Sequence, residues 1–503
     1  MSGRKAVSNT FYLFLNWFSI TVLGYAFWYI LANFLSKSEV GIFSTILNLG
    51  YLISSISILG FSTSLPRLIS EYQALKEYNK LAAIIRWSLI FILGLNALLT
   101  VILILSAVPL GTIISLEAHI IQLAAILSVF ILLYSLSAAY LVGLQRMRKL
   151  FSTDIINYLV RLAIVIGLVF LDFSYLAPFL ALVFSLILVF LLRVYDIPIK
   201  SGPVDKKQIW FYSFPATLST LGATLLFQTG IILLGVFRTF SEVGLFTLAF
   251  VIATLFRVII SNISQAIFPI TTQQWVRKEE KNLRRLLMHS FRYSYILAIP
   301  IVSLILFFPK EIIVIFISYE YSEAAFILQL LMMSNLLMGL SNILFNIAYS
   351  IRKPNAHRNS MLISGFANIF LGLVLIPTYG TLGATIAFLV SGILMFVIIY
   401  FLVKKSFNFS LAISALIKIL IISLIYVFLV YIVKTLTSGL PAIIISLSIG
   451  LLLYPFLLPF FRFFENEDIF ILQTIRSKSP PSLSKIIALY ENFIAKRLKR
   501  TKA

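Results

Sequence analysis

The sequence predicts an all-α, polytopic membrane protein of about fourteen transmembrane helices, with two pseudo-symmetric six-helix lobes followed by two C-terminal helices. Three observations support this fold class. Of the 503 residues, 60% are hydrophobic and only 12% are charged, which lies far outside the range of soluble domains. Apolar runs of spanning length follow one another along the chain, and a short motif recurs 203 residues after its first appearance.

Each apolar run is long enough to cross a bilayer as a helix of roughly 20 residues. Helices are favoured over strands because lipid offers no partner for an open sheet edge. The first run follows Arg4 and Lys5 without a small-residue cleavage site, so it is interpreted as helix 1 and not as a signal peptide. Predicted helices 1 to 14 cover residues 10–34, 42–66, 82–107, 119–143, 152–171, 175–195, 209–235, 246–268, 286–308, 323–348, 358–376, 382–403, 411–433 and 440–463.

The distribution of Lys and Arg predicts the orientation. If the N-terminus is cytoplasmic, the cytoplasmic segments and adjoining helix ends hold 34 of the 40 basic residues. The outer loops then hold only Lys37, Arg238, Lys310 and Lys434. Basic residues accumulate on the cytoplasmic side of membranes, so both termini are predicted to be cytoplasmic, in a cell (plasma) membrane. The net charge of +22 is thereby assigned to membrane loops, and no nucleic-acid partner is expected.

An internal repeat predicts the domain organisation. Residues 38–43 (SEVGIF) recur as residues 241–246 (SEVGLF), and Pro66 recurs at the same offset as Pro269. Six helices separate the two copies, so both copies cross the membrane in the same direction, as parallel repeats do. The predicted domains are residues 1–208 (N-terminal lobe, helices 1–6), 209–405 (C-terminal lobe, helices 7–12), 406–464 (helices 13–14) and 465–503 (cytoplasmic tail).

The tail has an acidic start and a basic end. Two interpretations remain open: short helices that lie on an anionic leaflet, or a solvated segment. The residues that carry this pattern are Glu465, Glu467, Asp468, Lys496, Arg497, Lys499, Arg500 and Lys502.

Several short segments, in their order and spacing, resemble the Wzx-like polysaccharide flippases of the multidrug/oligosaccharidyl-lipid/polysaccharide exporter superfamily. The segments are residues 40–43 (VGIF), 60–71 (GFSTSLPRLISE), 143–146 (GLQR), 268–269 (FP), 352–354 (RKP) and 376–384 (IPTYGTLGA). The resemblance implies a MATE-like, two-lobed fold that alternates between inward and outward openings around a hydrophilic cavity. It also implies a polyprenyl-linked oligosaccharide as substrate, the lipid bilayer as surroundings, glycan-assembly enzymes as further partners, and no enzymatic activity.

Two arginines lie within predicted spans, where a charge costs several kcal/mol unless it faces a cavity or a partner. Arg161 is in helix 5, and Arg257 is in helix 8. Asp154 and Asn157 share the face of Arg161 on helix 5, and both are further candidate substrate-binding residues. A guanidinium group offers a planar fork of donors to phosphate oxygens, so both arginines are candidate ligands of a pyrophosphate or an acidic sugar. The alternative for Arg161 is an ion pair with Asp154 or snorkelling to the interface.

The resemblance adds to the prediction for Arg257. Related flippases use arginines in the lumen, including one on helix 8, and Arg257 falls on that helix. The middle of helix 2 carries Ser54 and Ser55 here, where those relatives have arginine.

Amide side chains within the spans complete the candidate substrate site. Asn16, Asn48, Gln228 and Asn342 are predicted to hydrogen-bond sugar hydroxyls. Each of them has the alternative role of joining neighbouring helices.

The sequence contains no motif for thiol chemistry, nucleotide hydrolysis or metal binding. There is no cysteine, no phosphate-binding GxxxxGK[ST] loop and no HExxH metal motif, and the three histidines are scattered near span ends. No cofactor or metal is therefore expected. Two alternative functions remain: a MATE-like exporter of small molecules, which would need a lumen carboxylate for a cation, and a membrane glycosyltransferase or ligase, which would need a large outer loop.

Overall fold

The computed structural model consists of helices joined by short turns, and it contains no strand in the residues that it describes. These are residues 3–195, 197–198, 202–437, 439–461, 463–464, 468–469, 472–473, 476–477 and 481–499. In the tail, Glu465, Glu467, Arg500 and Lys502 lie outside the described residues, as do the side chains of Lys496, Arg497 and Lys499.

The helices are α1 (Gly3–Phe34), α2 (Lys37–Ser57), α3 (Phe61–Ala74), α4 (Tyr78–Leu105), α5 (Ala107–Ile114), α6 (Ala118–Gly143), α7 (Met147–Phe170), α8 (Leu176–Val194), α9 (Lys206–Phe237), α10 (Phe240–Val276), α11 (Glu280–Phe307), α12 (Pro309–Phe316), α13 (Ala325–Ser350), α14 (Pro354–Tyr379), α15 (Thr381–Ser406), α16 (Ile413–Leu436), α17 (Gly439–Phe460) and α18 (Pro481–Lys499). A short 3-10 helix, Tyr319–Ala324, precedes α13.

The all-α, multi-pass prediction is confirmed. Within the described part of the chain, thirteen helices are long and apolar enough to cross a membrane, and a shorter apolar segment, Ile444–Phe460, lies in α17. Apolar side chains cover the lipid-facing surfaces of these helices, as the bilayer requires.

The prediction of one continuous helix over residues 42–66 is wrong. The chain forms α2 and α3 instead, and the break lies between Ser57 and Phe61. Leu59 and Gly60 have φ angles of 46° and 71°, in the left-handed region that interrupts a right-handed helix. Gly60 also contacts the main chain of α9 so closely that a side chain there would overlap with the carbonyl oxygen of Ser213.

Helix lengths recur between the two predicted lobes. α1 and α9 both have 32 residues, α4 and α11 both have 28, and α5 and α12 both have 8. This recurrence supports a duplication, while the exact lobe boundaries stay a prediction. One pair differs: the broken α2–α3 corresponds to α10, which is continuous over 37 residues.

Across the predicted lobe boundary, α2 packs against both α9 and α10. α16 packs against α11 and α17 against α16, so these two helices form an extension beside the predicted C-terminal lobe.

Candidate functional site

Two adjoining chambers lie between helices of the two predicted lobes. The inner chamber has a volume of about 320 Å³ and is bounded by α1, α10, α13 and α14. The second, here called the vestibule, has a volume of about 600 Å³ and lies mainly between α3, α9 and the first turns of α14. Tyr349 and His357 line both chambers, so the two cavities meet at these side chains. The face of the fold at which α14 begins is called the chamber face below.

Arg257 lines the inner chamber from α10. Its guanidinium carbon lies 4.2 Å from the ring centroid of Phe227 on α9, a cation–π contact that holds the side chain in place. Among the described residues, no hydrogen bond or ion pair engages this guanidinium. Its donors are therefore available to a ligand in the chamber.

A hydrogen-bonded seam between α10 and α13 forms the wall beside Arg257. The Asn342 amide donates to Ser261 Oγ at 2.6 Å, and the Asn346 amide donates to Ser264 Oγ at 2.6 Å. Ser264 Oγ donates in turn to the carbonyl oxygen of Asn342 at 2.8 Å. The small serines let the two helices approach closely, and the bonds fix both amides at the edge of the chamber.

The vestibule carries two further arginines. Arg67 of α3 lies 4.0 Å from the ring centroid of Tyr212 on α9, and its guanidinium donates to the Tyr212 hydroxyl at 3.2 Å. Arg358 of α14 donates twice to Asn359 Oδ1, at 3.2 and 3.1 Å. Of the described residues that line either chamber, none is Asp or Glu. The described lining of the two chambers is therefore cationic.

Asp154 lines neither the inner chamber nor the vestibule. Its carboxylate forms an ion pair with Arg193 of α8, and both side chains are fully buried. Asp154 also accepts hydrogen bonds from the Tyr134 hydroxyl at 2.7 Å and the Asn16 amide at 3.0 Å. Arg193 also donates to Thr153 Oγ1 at 3.0 Å and to the carbonyl oxygen of Tyr134 at 3.3 Å. The Asp154 carboxylate is thus held by Arg193, Tyr134 and Asn16. The alternative of an ion pair between Asp154 and Arg161 is not formed.

Arg161 and Asn157 lie on α7 inside the same lobe. The Arg161 guanidinium donates to Asn157 Oδ1 at 3.2 Å and to Ser185 Oγ at 3.4 Å, and it lies 4.7 Å from the ring centroid of Tyr158. Asn157 is buried. Neither residue lines the two chambers described above.

The remaining predicted amides are dispersed. Asn48 of α2 is buried and donates to the carbonyl oxygen of Ser44 at 2.7 Å. Gln228 of α9 is half-buried and follows Phe227, which lies under Arg257. The structure thus brings Arg257 and Asn342 together at the inner chamber, groups Asp154, Asn16, Asn157 and Arg161 within the N-terminal lobe, and leaves Asn48 and Gln228 outside both chambers.

Several chamber residues were not among the predicted site residues. Trp17, Tyr349 and His357 line the inner chamber. Tyr349 and His357 flank the RKP segment at residues 352–354, and the tight turn there brings the end of α13 beside the start of α14. The turn between predicted helices 10 and 11 is the sequence signal that could have indicated Tyr349 and His357. The position of Trp17 depends on how α1 packs and has no sequence signature.

Comparison with known proteins places this geometry in context. A family model described as "Polysaccharide biosynthesis protein" matches residues 6–275. The probable low-salt glycan biosynthesis flippase Agl15 of Haloferax volcanii is 24% identical over 183 residues, which cover 36% of this chain and 39% of that protein. The match thus spans about two fifths of the length of this curated relative.

Solved structures with the same fold extend over more of the chain. The lipid II flippase MurJ, in an inward closed conformation, superposes with a TM-score of 0.67 at 18% identity, covering 90% of this chain and 99% of that one. An inward-facing multidrug resistance MATE transporter superposes with a TM-score of 0.66 at 14% identity, covering 80% of this chain and 95% of that one. At these identities the comparison establishes a common fold.

Proposed function

The chain belongs to the polysaccharide biosynthesis protein family, and from this premise we propose that it flips lipid-linked oligosaccharide or polysaccharide precursors across the cell membrane. The transport serves surface polysaccharide or glycan biosynthesis and proceeds by alternating access, without an enzymatic step. Relatives support the proposal by their descriptions: one is a probable glycan biosynthesis flippase, and a protein of the same fold flips lipid II.

One observation carries the proposal. Arg257 faces a chamber between the lobes with its guanidinium free, and the described residues that line this chamber and the vestibule include no carboxylate. A desolvated guanidinium binds phosphate oxygens through charge-assisted, bidentate hydrogen bonds. The head group of a lipid-linked glycan carries such a phosphate, so the chamber has the charge that this substrate needs.

The cytoplasmic placement of both termini belongs to the same proposal. With that orientation, the chamber face lies toward the cytoplasm, where a lipid-linked precursor assembled inside the cell would enter. At the opposite end, α2 packs against the start of α10, where Gly41 contacts the main chain of Phe240. In the proposed orientation, this packing supports an inward-facing state. The bilayer and the polyprenyl-linked glycan are then the immediate partners, and glycan-assembly enzymes that supply the substrate are the expected neighbours.

A small-molecule exporter is the second candidate, since a multidrug transporter shares the fold. An organic cation would require a carboxylate in the cavity, and the described chamber residues supply arginines instead. The chamber chemistry therefore favours an anionic substrate.

The test is transport by purified protein in vesicles with lipid-linked oligosaccharides extracted from the source cells, scored as arrival in the opposite leaflet. Replacing Arg257→Gln removes the free charge, and we expect transport to fall by about tenfold to a hundredfold, as the loss of a charge-assisted hydrogen bond implies. Arg284→Gln is the matched control, because Arg284 is exposed and pairs with Glu280 at the protein surface. Normal transport by a folded Arg257→Gln protein would contradict the proposal.

A further inference from the structure

A third cavity lies beside the predicted C-terminal lobe, where α11 meets the linker of residues 407–412 between α15 and α16. This cavity, here called the interfacial pocket, has a volume of about 380 Å³ and is lined by Arg284, Arg285, Met288, Asn408, Phe409 and Ser410. None of these residues lines the inner chamber or the vestibule. We propose that the interfacial pocket binds the phosphate head group of an anionic phospholipid of the bilayer, at a site separate from that of the transported substrate.

The position of the pocket along the helices sets it at the level of the lipid head groups. It lies between the first turns of α11 and the linker that joins the end of α15 to the start of α16. All three helices are long and apolar enough to cross the membrane, so their ends at this face lie at the membrane surface. Phospholipid phosphates occupy the same level, whichever side of the membrane this face adopts.

Basic residues surround the pocket. Arg284 and Arg285 reach it from α11, and Lys404 and Lys405 belong to the last turn of α15. Arg284 forms a 3.2 Å ion pair with Glu280 at the protein surface. The phosphate contact is therefore assigned to Arg285, whose exposed side chain carries the planar fork of donors that matches phosphate oxygens. The neighbouring lysines add to the attraction of an anionic leaflet.

Neutral donors complete the polar lining. Asn408 and Ser410 are both exposed on the linker, and neither side chain makes a hydrogen bond among the described residues. An amide and a hydroxyl can bind phosphate oxygens as well as the hydroxyl groups of a glycerol head group. The pocket thus offers one charged and two neutral hydrogen-bonding groups to a single head group.

The wall of the pocket is held in place by the protein itself. Phe409 is buried, and its ring packs edge-on against Tyr400 of α15 with centroids 5.6 Å apart. The Tyr295 hydroxyl of α11 donates to the carbonyl oxygen of Leu411 at 3.0 Å, which ties the linker to α11. A pocket that is already ordered loses less conformational entropy when a ligand binds.

Apolar side chains flank the pocket where the acyl chains of a bound lipid would lie. Phe401, one turn before Lys405 on α15, is 62% exposed, and Ile413 and Ile417 of α16 are 59% and 53% exposed. Large apolar side chains with this exposure face the hydrocarbon of the bilayer. A polar head-group pocket beside such a surface fits an intact phospholipid, whereas a soluble phosphate would use only the polar half.

Lipid binding to the purified, full-length protein in detergent, measured by native mass spectrometry, tests the site. The probes are dioleoylphosphatidylglycerol, which is anionic, and dioleoylphosphatidylcholine, which has no net charge. Arg285→Gln is expected to weaken binding of the anionic lipid by about tenfold, the cost of one charge-assisted hydrogen bond, and to change binding of the neutral lipid by less than about twofold. Arg285→Lys keeps the charge and is expected to retain more of the binding. Lys281→Gln is the matched control, because it removes one charge from the same helix outside the pocket.

Two further ligands distinguish the source of the phosphate. Excess inorganic phosphate at constant ionic strength is expected to leave the anionic lipid bound, because it lacks the acyl chains. A polyprenyl diphosphate without sugar is expected to bind the natural and Arg285→Gln proteins equally. Arg257→Gln, in turn, is expected to leave binding of the anionic phospholipid unchanged, so this test is independent of the proposed function.

Four results would overturn the proposal. Equal weakening by Lys281→Gln and Arg285→Gln would show a general effect of surface charge, and equal binding of the two phospholipids would show that the pocket does not select an anion. Displacement of the lipid by inorganic phosphate would make the pocket a site for the free ion. Weaker binding of the polyprenyl diphosphate to the Arg285→Gln protein would assign the pocket to the transported substrate.

Discussion

Gly41 of α2 lies directly against the main-chain carbonyl oxygen of Phe240 at the start of α10, where a Cβ atom on residue 41 would overlap with that oxygen. The relation is nearly symmetric, because a Cβ atom on Gly244 would overlap with the carbonyl oxygen of Lys37. Gly41 and Gly244 occupy the same position of the repeated SEVG motif. The duplicated motif thus forms the contact between the lobes at the end opposite the chamber face, where any side chain would force the helices apart.

Gly41→Ala is predicted to open this end of the fold. The added methyl group has no space between α2 and α10, so the packed arrangement loses stability relative to one that is open at this end. A reporter is available because the natural chain has no cysteine. Thr45→Cys places a thiol at a fully buried position of α2 that packs against Gly235. With the termini cytoplasmic, as proposed, this end faces outward, and we expect a membrane-impermeant maleimide added outside to label the thiol faster in the Gly41→Ala background.

Gly94→Ala is the matched control for this experiment. Gly94 lies within α4, and a Cβ atom there would meet nothing within 4 Å. The same substitution is therefore expected to leave labelling unchanged and to stabilise the helix by up to about 1 kcal/mol. Equal labelling rates in the Gly41→Ala and Gly94→Ala proteins would show that the glycine contact does not hold the lobes closed.

Asn33→Ala is predicted to favour opening at the same end. The Asn33 amide, at the end of α1, donates to the carbonyl oxygen of Ile317 at 2.9 Å, just after the last residue of α12. The bond joins the predicted lobes and caps a helix end, which is worth about 1 kcal/mol and shifts a two-state population about fivefold. Labelling of Thr45→Cys measures the shift. Lys37→Ala, which removes a 3.8 Å ion pair with the largely exposed Glu323, should change labelling little.

The sequence predicted the helical fold because spanning length and apolarity are local properties. Arg257 was found in the same way, since a charge within an apolar run stands out without any tertiary information. Arg193 was not identified, because it sits near a span end and its pairing with Asp154 depends on the packing of α8 against α7. The break at Gly60 was also missed, since glycine is common in membrane helices and the close approach of α9 determines the conformation.

Asp154→Ala is predicted to destabilise the protein and not to act on substrate binding directly. Removing the carboxylate leaves the fully buried Arg193 without its ion pair, which costs about 3–5 kcal/mol. We expect a lower midpoint of thermal unfolding in detergent. The double variant Asp154→Leu with Arg193→Met removes both charges and should recover most of the loss. Transport by the double variant distinguishes a structural role of Asp154 from a role in substrate binding. If the double variant is stable but no longer transports, Asp154 takes part in substrate binding.

The last prediction concerns the tail, which the structure attaches to α11. Arg292 of α11 donates to Asp468 Oδ2 at 2.8 Å and to the carbonyl oxygen of Phe463 at 2.6 Å, and the Tyr293 hydroxyl also binds this carboxylate. Both charged side chains are about 98% buried. Such a pair is strongly destabilised when one partner is removed, so Asp468→Ala should release the segment that follows α17.

Limited proteolysis measures this release, because cleavage of a transiently opened segment follows its open population. We expect trypsin to cut the tail of the Asp468→Ala protein at least about tenfold faster, at sites such as Arg476 that follow the buried pair. Glu280→Ala is the control, since it removes the exposed ion pair with Arg284 at the start of the same helix. α18 has its own attachment, in which the Tyr490 hydroxyl donates to the carbonyl oxygen of Pro455 at 2.7 Å. If that attachment alone held the tail, cleavage of the Asp468→Ala protein would stay at the control rate, and the buried pair would have no part in holding the tail.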